Sequence, residues 1–357
     1  DPYRFNPNSK DEIMPEDNRA RISCDLNLDK EGVQQGFIRV FHSTHDSAYG
    51  FIPIPIVVFR NGAGPTALLM AGNHGDEYEG QLALCNLAKS LPFNNLRGRI
   101  ILLPAANLPA ALAGRRVSPI DGGNLNRLFP GDAQGSPTAR IAWYIEHELI
   151  PQSDLVCDLH SGGSSLRYLP TVLTNWNPDP DRMARLVAAL KAFGAPHAYI
   201  SANNPGGDAT AISAAERQAV LALGTELGGS GTVTPIDLAI AERGVRNLLV
   251  HLEILPSSER IEPSRPTRLL EIRGADYFTY APESGVFEPL AVVGDVVEAG
   301  SPAARIHFPE TPWTLPTLVH FQASGLVICQ RVPGRTVRGD CLFHLASDVP
   351  QSEGTFW

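Results

Sequence analysis

The sequence predicts an α/β fold: a mostly parallel or mixed sheet with helices on both faces, followed by a small all-β domain. Between residues 35 and 256, apolar runs typical of strands alternate with segments of helical apolar spacing. A polar, proline-rich stretch at 256–266 then interrupts the pattern. Beyond it, short strands and many glycines predominate. We therefore expect an N-terminal arm at 1–34, a main domain at 35–256, and a linker with a β-domain at 257–357.

The first half of the main domain alternates as follows. Strands are predicted at 36–40 and 51–59, which are rich in Ile, Val and Phe. Pro53 and Pro55 alternate in the second strand, so it should be an edge strand or lack a ladder on one side. The apolar runs at 66–72 and 98–104 are typical of buried strands, and the apolar spacing at 79–91 predicts a helix between them.

The second half continues the alternation. A helix at 136–150 begins with Ser136-Pro137, a helix-start signal. Strands are then predicted at 154–160 and 219–226, and helices at 181–193 and 236–252. Because strands alternating with helices of this length imply crossover connections, we expect a mostly parallel sheet covered on both faces.

The C-terminal part, 269–346, contains a weak internal repeat of about forty residues that begins at Ser284-Gly285 and again at Ser324-Gly325. Two such units resemble the halves of a lipoyl-like or biotinyl-like barrel. Proteins of that type carry their cofactor on a lysine, and no lysine follows Lys191. We therefore expect a structural or oligomer-forming module rather than a cofactor carrier.

The composition limits the classes of molecule that the protein is expected to bind. A net charge of -9 and a pI near 5.6 argue against nucleic acid or acidic lipid. The five cysteines are scattered without a CxxC pair, no apolar run approaches membrane-spanning length, and the N-terminus lacks an apolar signal region. We expect a cytoplasmic protein with a small-molecule partner and no membrane contact, and we leave a homo-oligomer open.

The candidate metal ligands follow two predicted strands. His74 and Glu77 lie three residues apart where the strand at 66–72 meets a helix, and His160 ends the strand at 154–160. Open parallel sheets bind ligands at the carboxyl ends of their strands, so these side chains should converge. Two histidines and one carboxylate leave a fourth position for water, as in a catalytic zinc site. We expect one Zn²⁺ per chain, with Asp158 orienting a ligand or a loop, and we assign the other histidines structural roles.

Two further segments are candidates for catalysis and substrate binding. Glu226 ends an apolar strand before a glycine-rich loop that we expect to be flexible, and it is our candidate general base. The alternative is a capping or loop glutamate, and the glycines lack the spacing of a phosphate-binding loop. The loop 115–127 carries Arg115, Arg116 and Arg127, which suit a carboxylate and a developing oxyanion. The alternative there is a solvated surface loop.

Taken in order, the motifs HGDE, NLNR-x-FPG, DLHSG and TELGG resemble the succinylglutamate desuccinylase/aspartoacylase family of zinc carboxypeptidase-like hydrolases, over roughly residues 35–255 and into the β-domain. The resemblance implies that 35–256 is a zinc hydrolase domain. It implies His74, Glu77 and His160 as metal ligands and Glu226 as the general acid/base.

The same resemblance assigns the arginine loop. Asn126 and Arg127 would hold the substrate carboxylate, and an arginine upstream of Ile120-Asp121 would stabilise the oxyanion. Ser118-Pro119 interrupts the family spacing there, so we choose Arg116 and keep Arg115 as the alternative.

Within the family, NHGDEYEG, TELGGSGT and AERGVRN are most similar to deacetylases of N-alpha-acetyl-L-2,4-diaminobutyrate in ectoine breakdown. The resemblance thus implies a zinc-dependent amide hydrolase that removes an acetyl group from a small amino acid. The second amine of that substrate should meet an acidic residue, for which Glu79, Asp121 and Asp76 are candidates. The alternative reactions are deacylation of N-acyl aspartate or glutamate and carboxypeptidase action.

Overall fold

The computed structural model describes residues 21–201 and 207–349. The helices are α1 (Tyr78–Ser90), α2 (Leu108–Ala113), α3 (Pro137–Tyr144), α4 (Pro180–Phe193), α5 (Ala211–Arg217) and α6 (Pro235–His251). The strands are β1 (Ile22–Cys24), β2 (Gly32–Phe41), β3 (Phe51–Asn61), β4 (Thr66–Ala71), β5 (Gly98–Leu103), β6 (Leu155–Leu159), β7 (Leu166–Tyr168), β8 (Thr171–Asn175), β9 (His197–Ser201), β10 (Leu221–Glu226), β11 (Arg268–Ile272), β12 (Phe278–Tyr280), β13 (Gly285–Pro289), β14 (Val296–Val297), β15 (Pro302–His307), β16 (Thr317–His320), β17 (Gly325–Arg331), β18 (Arg335–Thr336) and β19 (Cys341–Asp348).

The large sheet is mixed rather than mostly parallel. Its order is β1-β2-β3-β5-β4-β6-β10-β8-β9-β11-β19-β17-β14. The central strands β5, β4, β6 and β10 are parallel neighbours, whereas β1, β2 and β3 pair antiparallel on one side and β8 pairs antiparallel with β10 on the other. The parallel centre therefore brings the carboxyl ends of β4, β6 and β10 to one edge of the sheet.

Helices cover both faces of this sheet, as predicted. Successive residues of β4 alternate between the two faces, with Leu69 in the core formed by α1, α4 and α6 and Leu68 in the core formed by α3 and α5. Every residue of β4 is buried, which explains why its sequence is an uninterrupted apolar run. The helix predicted at 136–150 is α3 followed by a π-helical turn and a 3-10 turn.

Part of the predicted N-terminal arm belongs to the sheet. Of the residues 1–34, only 21–34 are described, and β1 with the start of β2 forms strands there. This corrects the expectation of a loosely held arm for those residues, because backbone pairing with β2 and β3 fixes them; residues 1–20 lie outside the described part. In β3, Pro53 and Pro55 pair only with β2, and the second neighbour β5 begins pairing at Val57. The part of β3 that contains the two prolines is therefore hydrogen-bonded to a neighbouring strand on one side only, as predicted.

Strands also dominate the described C-terminal residues, and they are joined to the main sheet. β11 pairs in parallel with β9, and β17 pairs antiparallel with β7. A separate four-stranded sheet, β16-β15-β13-β18, packs with them around an apolar core. The boundary at 256/257 and the lipoyl-like barrel remain predictions. Within the described ranges, the structure contains no helix with the length and apolarity needed to span a membrane.

Candidate active site

The predicted site residues lie at the carboxyl ends of three adjacent parallel strands. His74 and Glu77 follow β4, His160 follows β6, and Glu226 is the last residue of β10. Ala71 of β4 pairs with Leu159 of β6, so the two segments leave the sheet side by side. The turn after β4 requires Gly75, because a Cβ there would lie 2.0 Å from the backbone of Ala110. The sequence argument about strand ends therefore gives the observed arrangement.

Three buried side chains meet at this edge. The Nδ1 of His74 lies 2.7 Å from Oε1 of Glu77, and the Nδ1 of His160 lies 2.8 Å from its Oε2. The two imidazole rings are tilted with centroids 5.0 Å apart. One nitrogen from each ring and one carboxylate oxygen lie within 4.8 Å of one another. This group is of the size and donor chemistry that a divalent cation needs.

The outer nitrogens of both imidazoles are held by acceptors. The Nε2 of His160 lies 2.7 Å from Oδ2 of Asp158, and the Nε2 of His74 lies 3.0 Å from Oδ1 of Asn124. Each ring can therefore carry its proton on Nε2 and present the Nδ1 lone pair to the shared centre, which is how metal-binding histidines are usually oriented. The residues present thus fit a zinc ion, with Asp158 in the orienting role that the sequence suggested.

The charges at the centre favour an ionised Glu77. Burial alone would raise the pKa of its carboxyl, but the neighbouring His74 and His160 lower it below its ordinary value. The backbone N–H of Ser161 also donates to Oε2 of Glu77 at 3.2 Å. A buried carboxylate kept ionised in this way is a suitable ligand for a cation.

Glu226 has the opposite electrostatics. Burial, reinforced by the charge of Glu77, raises the pKa of Glu226 well above its ordinary value, although His160 and Arg116 counteract this effect. Its Oε2 has no hydrogen-bond partner among the described protein groups. A carboxyl with a raised pKa and a free oxygen is suited to accept and return a proton near neutral pH.

The arginine loop contributes two of its three arginines to the cavity. Arg116 and Arg127 line it, and Nη1 of Arg116 donates to Oε1 of Glu77 at 3.4 Å. Arg115 is exposed and does not line the cavity; its carbonyl accepts a hydrogen bond from Gly75. Asn126 lies beside His160 at 3.2 Å, and its Oδ1 accepts from the backbone of Ala211. The structure therefore brings Arg116, Asn126 and Arg127 to the site and leaves Arg115 outside it.

The glycine-rich loop after Glu226 is closely packed, which corrects the expectation that it is flexible. Gly229 has a φ of 122°, and a Cβ there would lie 2.3 Å from the carbonyl oxygen of Leu166. The carbonyl of Gly228 accepts from the backbone of Tyr168 at 2.8 Å, and Ser230 donates to Leu166 at 2.9 Å. The glycines thus allow close backbone contact with β7.

The three acidic candidates for a second substrate amine do not line the cavity, and this expectation is corrected. Asp76 accepts from Ser164, Asp121 accepts from Thr138, and Glu79 accepts from the backbone of Gly229. Each of these carboxyls therefore accepts hydrogen bonds from a neighbouring segment of the chain. The carboxylates that do line the cavity are Glu77, Asp158 and Glu226.

Sequence reasoning missed several residues of the cavity, whose volume is about 260 Å³. Asn124 bonds Nε2 of His74 without lining the cavity, and its place in the arginine loop gave no sign of this contact. Tyr168, Phe278 and His344 line the cavity from β7, β12 and β19. Phe278 and His344 come from the C-terminal strands, and nothing in their local sequence distinguishes them from core residues.

Comparisons with known proteins agree with this architecture. The succinylglutamate desuccinylase/aspartoacylase catalytic domain matches residues 63–252. The N-alpha-acetyl-L-2,4-diaminobutyric acid deacetylase of Halomonas elongata is 40% identical over 330 residues, which cover 92% of this chain and 95% of that protein.

Solved structures give the same result. The product-bound ectoine utilization protein EutE (DoeB) from Ruegeria pomeroyi has a TM-score of 0.88 and 38% identity, over 92% of this chain and 99% of that one. A succinylglutamate desuccinylase/aspartoacylase from Rhodobacter sphaeroides also has a TM-score of 0.88 and 38% identity, over 92% and 100% of the two chains. With its motifs, its fold and these relatives in agreement, the chain belongs to the succinylglutamate desuccinylase/aspartoacylase family.

Proposed function

We propose that the protein is a zinc-dependent deacetylase of N-alpha-acetyl-L-2,4-diaminobutyrate. The observation that carries the proposal is the convergence of His74, Glu77 and His160 beside a carboxyl, Glu226, whose pKa is raised. Metal ligands with an open side, next to a group that can exchange a proton, are the minimum for metal-assisted amide hydrolysis.

His74, Glu77 and His160 would hold the zinc ion. When bound, zinc supplies a Lewis acid that polarises the acetyl carbonyl and lowers the pKa of a water molecule to about 7. Glu226 takes a proton from the attacking water through its free oxygen and returns it to the departing amine.

The arginine loop would position the substrate. The guanidinium of Arg116, which lies beside Glu77, donates hydrogen bonds to the oxygen that gains negative charge as the carbonyl is attacked. Arg127 and Asn126 bind the carboxylate of the amino acid, for which a guanidinium fork is well shaped. In this arrangement both cavity arginines are used by groups that every N-acyl amino acid carries.

That assignment favours a substrate with a cationic or neutral side chain. Arg116 and Arg127 are the cavity's only arginines among the described residues, and no lysine of the described chain lines it. A side-chain carboxylate of N-acyl aspartate or glutamate would therefore find no arginine or lysine of the described cavity lining left to pair with. The Halomonas elongata relative, an N-alpha-acetyl-L-2,4-diaminobutyric acid deacetylase, supports the same choice.

Three measurements test this proposal. Purified protein should contain about one zinc per chain, and it should release acetate from N-alpha-acetyl-L-2,4-diaminobutyrate faster than from N-acetyl aspartate. The variant Glu226→Gln should keep its zinc and lose about 10²–10⁴-fold in kcat, the range for a general acid/base. The matched control is Glu242→Gln, whose carboxylate bonds Asn86 outside the cavity. A metal-free active enzyme, or a fully active Glu226→Gln variant, would refute the proposal.

A further inference from the structure

One buried polar group of the cavity has no role in the chemistry above. His344 of β19 is only 2% exposed, and neither of its ring nitrogens has a hydrogen-bond partner among the described protein groups. Burying a polar group without a partner costs roughly 1–3 kcal/mol, so such a group in a native fold calls for an explanation. His344 also lines the cavity that contains His74, Glu77 and His160.

His344 reaches the cavity through a row of residues in register across four antiparallel strands. Phe278 of β12 pairs with His344, His344 pairs with Cys329 of β17, and Cys329 pairs with Tyr168 of β7. The C-terminal strands thereby form one wall of the cavity.

Aromatic rings surround the imidazole. The ring of Phe278 stacks on it with centroids 4.1 Å apart and an interplanar angle of 14°. Tyr199 and Tyr168 approach it edge-on, at 6.1 and 6.3 Å between centroids. These contacts fix the ring plane, and both ring nitrogens remain without a hydrogen-bond partner beside the cavity.

We propose that His344 selects the substrate by accepting a hydrogen bond from the free ammonium group of its side chain. The proposal rests on the proposed function and assigns the partner that Glu79, Asp121 and Asp76 do not provide. A neutral imidazole offers one lone pair to an N–H donor, and an ammonium group is such a donor.

The environment keeps that lone pair available. Burial lowers the pKa of His344 to about 3, so the imidazole is neutral at physiological pH and adds no positive charge that would repel an ammonium group. The same ring could not pair with a side-chain carboxylate as an ion.

The test compares two substrates of nearly equal shape. N-alpha-acetyl-L-2,4-diaminobutyrate ends in an ammonium group where N-acetyl-L-norvaline ends in a methyl group. The value of kcat/KM for the diaminobutyrate substrate is divided by the value for the norvaline substrate. This selectivity ratio is measured for the wild-type enzyme and for His344→Phe. Phe keeps the stacking on Phe278 and removes both nitrogens. The ratio should fall by about ten- to a hundred-fold in the variant, the value of one hydrogen bond to a charged group.

Two further variants make the result specific. His344→Gln retains an acceptor oxygen and should recover part of the lost selectivity. His197→Phe alters another buried histidine with an unpartnered Nδ1, outside the cavity, and should leave the ratio unchanged. An unchanged ratio in His344→Phe, including the case in which activity falls equally on both substrates, would overturn the role of His344. Failure of the wild-type enzyme to hydrolyse either substrate would instead refute the proposed function.

Discussion

Asp158 lies 2.7 Å from Nε2 of His160, two residues further along the chain. The same carboxylate oxygen accepts a hydrogen bond from the side-chain amide of Asn73 at 2.8 Å. The imidazole of His160 is therefore held through its Nε2, the nitrogen that does not face Glu77. In this site the ring orientation is set by a residue that need not touch a metal.

Replacing Asp158 by Asn should weaken zinc binding about 10–100-fold, because the imidazole loses the carboxylate that orients it and makes it a stronger donor. The zinc dissociation constant is measured by competition with a chromophoric chelator. Asp181→Asn, on the exposed first turn of α4, is the control. An unchanged dissociation constant in Asp158→Asn would show that the contact is not needed to orient the ligand.

Neighbouring arginines allow a matched pair of variants. Arg116→Ala should lower kcat about 10²–10³-fold, the usual effect of removing a donor to the oxyanion. Arg115→Ala should have a far smaller effect, because the Arg115 side chain does not line the cavity and its backbone contact with Gly75 survives the substitution. Steady-state kinetics on both variants decides the assignment, and a larger loss in Arg115→Ala would reverse it.

Gly229→Ala should destabilise the fold by more than about 1 kcal/mol, since Ala disfavours positive φ and its Cβ would clash with the Leu166 carbonyl. Gly334→Ala is the control, because a Cβ there meets nothing within 4 Å and its φ is unremarkable. Urea unfolding followed by circular dichroism measures both, and the control should change stability by less than about 0.5 kcal/mol. Equal stabilities would mean that the β10–β7 contact can relax.

His344 should make the stability depend on pH. Its folded-state pKa of about 3 lies below the unfolded value of roughly 6.5, so below that pH the unfolded chain binds a proton that the folded chain does not. The free energy of unfolding that depends on a neutral His344 is therefore fully present above pH 6.5 and is lost as the pH falls toward 3. At pH 4 the loss amounts to roughly 3 kcal/mol.

Comparison with His344→Phe isolates that effect from the other titrating groups. Between pH 7 and pH 4, the variant should gain roughly 3 kcal/mol of unfolding free energy relative to the wild type. Denaturant unfolding at several pH values measures the difference. Parallel curves for the two proteins would show that the imidazole is not held neutral by burial.

The sequence was sufficient for those parts of the site that depend on neighbouring parallel strands. His74, Glu77 and His160 each follow an apolar run that was predicted to be a buried strand, and adjacent parallel strands end at the same edge. The ends of α1, α4 and α6 were predicted to within one or two residues. The helix predicted at 136–150 is instead shorter, because α3 passes into a π-helical turn after Tyr144.

What could not be predicted depends on pairing between distant segments. His344 reaches the cavity only because its strand register places it between Phe278 and Cys329, and register is not written in local composition. Asp76, Glu79 and Asp121 were plausible partners for an amine by proximity in sequence. Asp76 and Glu79 instead accept hydrogen bonds from residues far away in the sequence, Ser164 and Gly229, outside the cavity lining. The antiparallel strand β8, placed next to β10, likewise has no local signature that sets its direction.

The pairing of β7 with β17 and of β9 with β11 also has a practical consequence for handling the protein. A fragment ending at residue 256 would keep His74, Glu77, His160 and Glu226 but would leave β7 and β9 with unsatisfied backbone groups facing solvent. Such bare edges recruit other chains and promote aggregation. Shortened versions of this protein intended for crystallisation or engineering should therefore retain the C-terminal strands, even where only the part up to residue 256 is of interest.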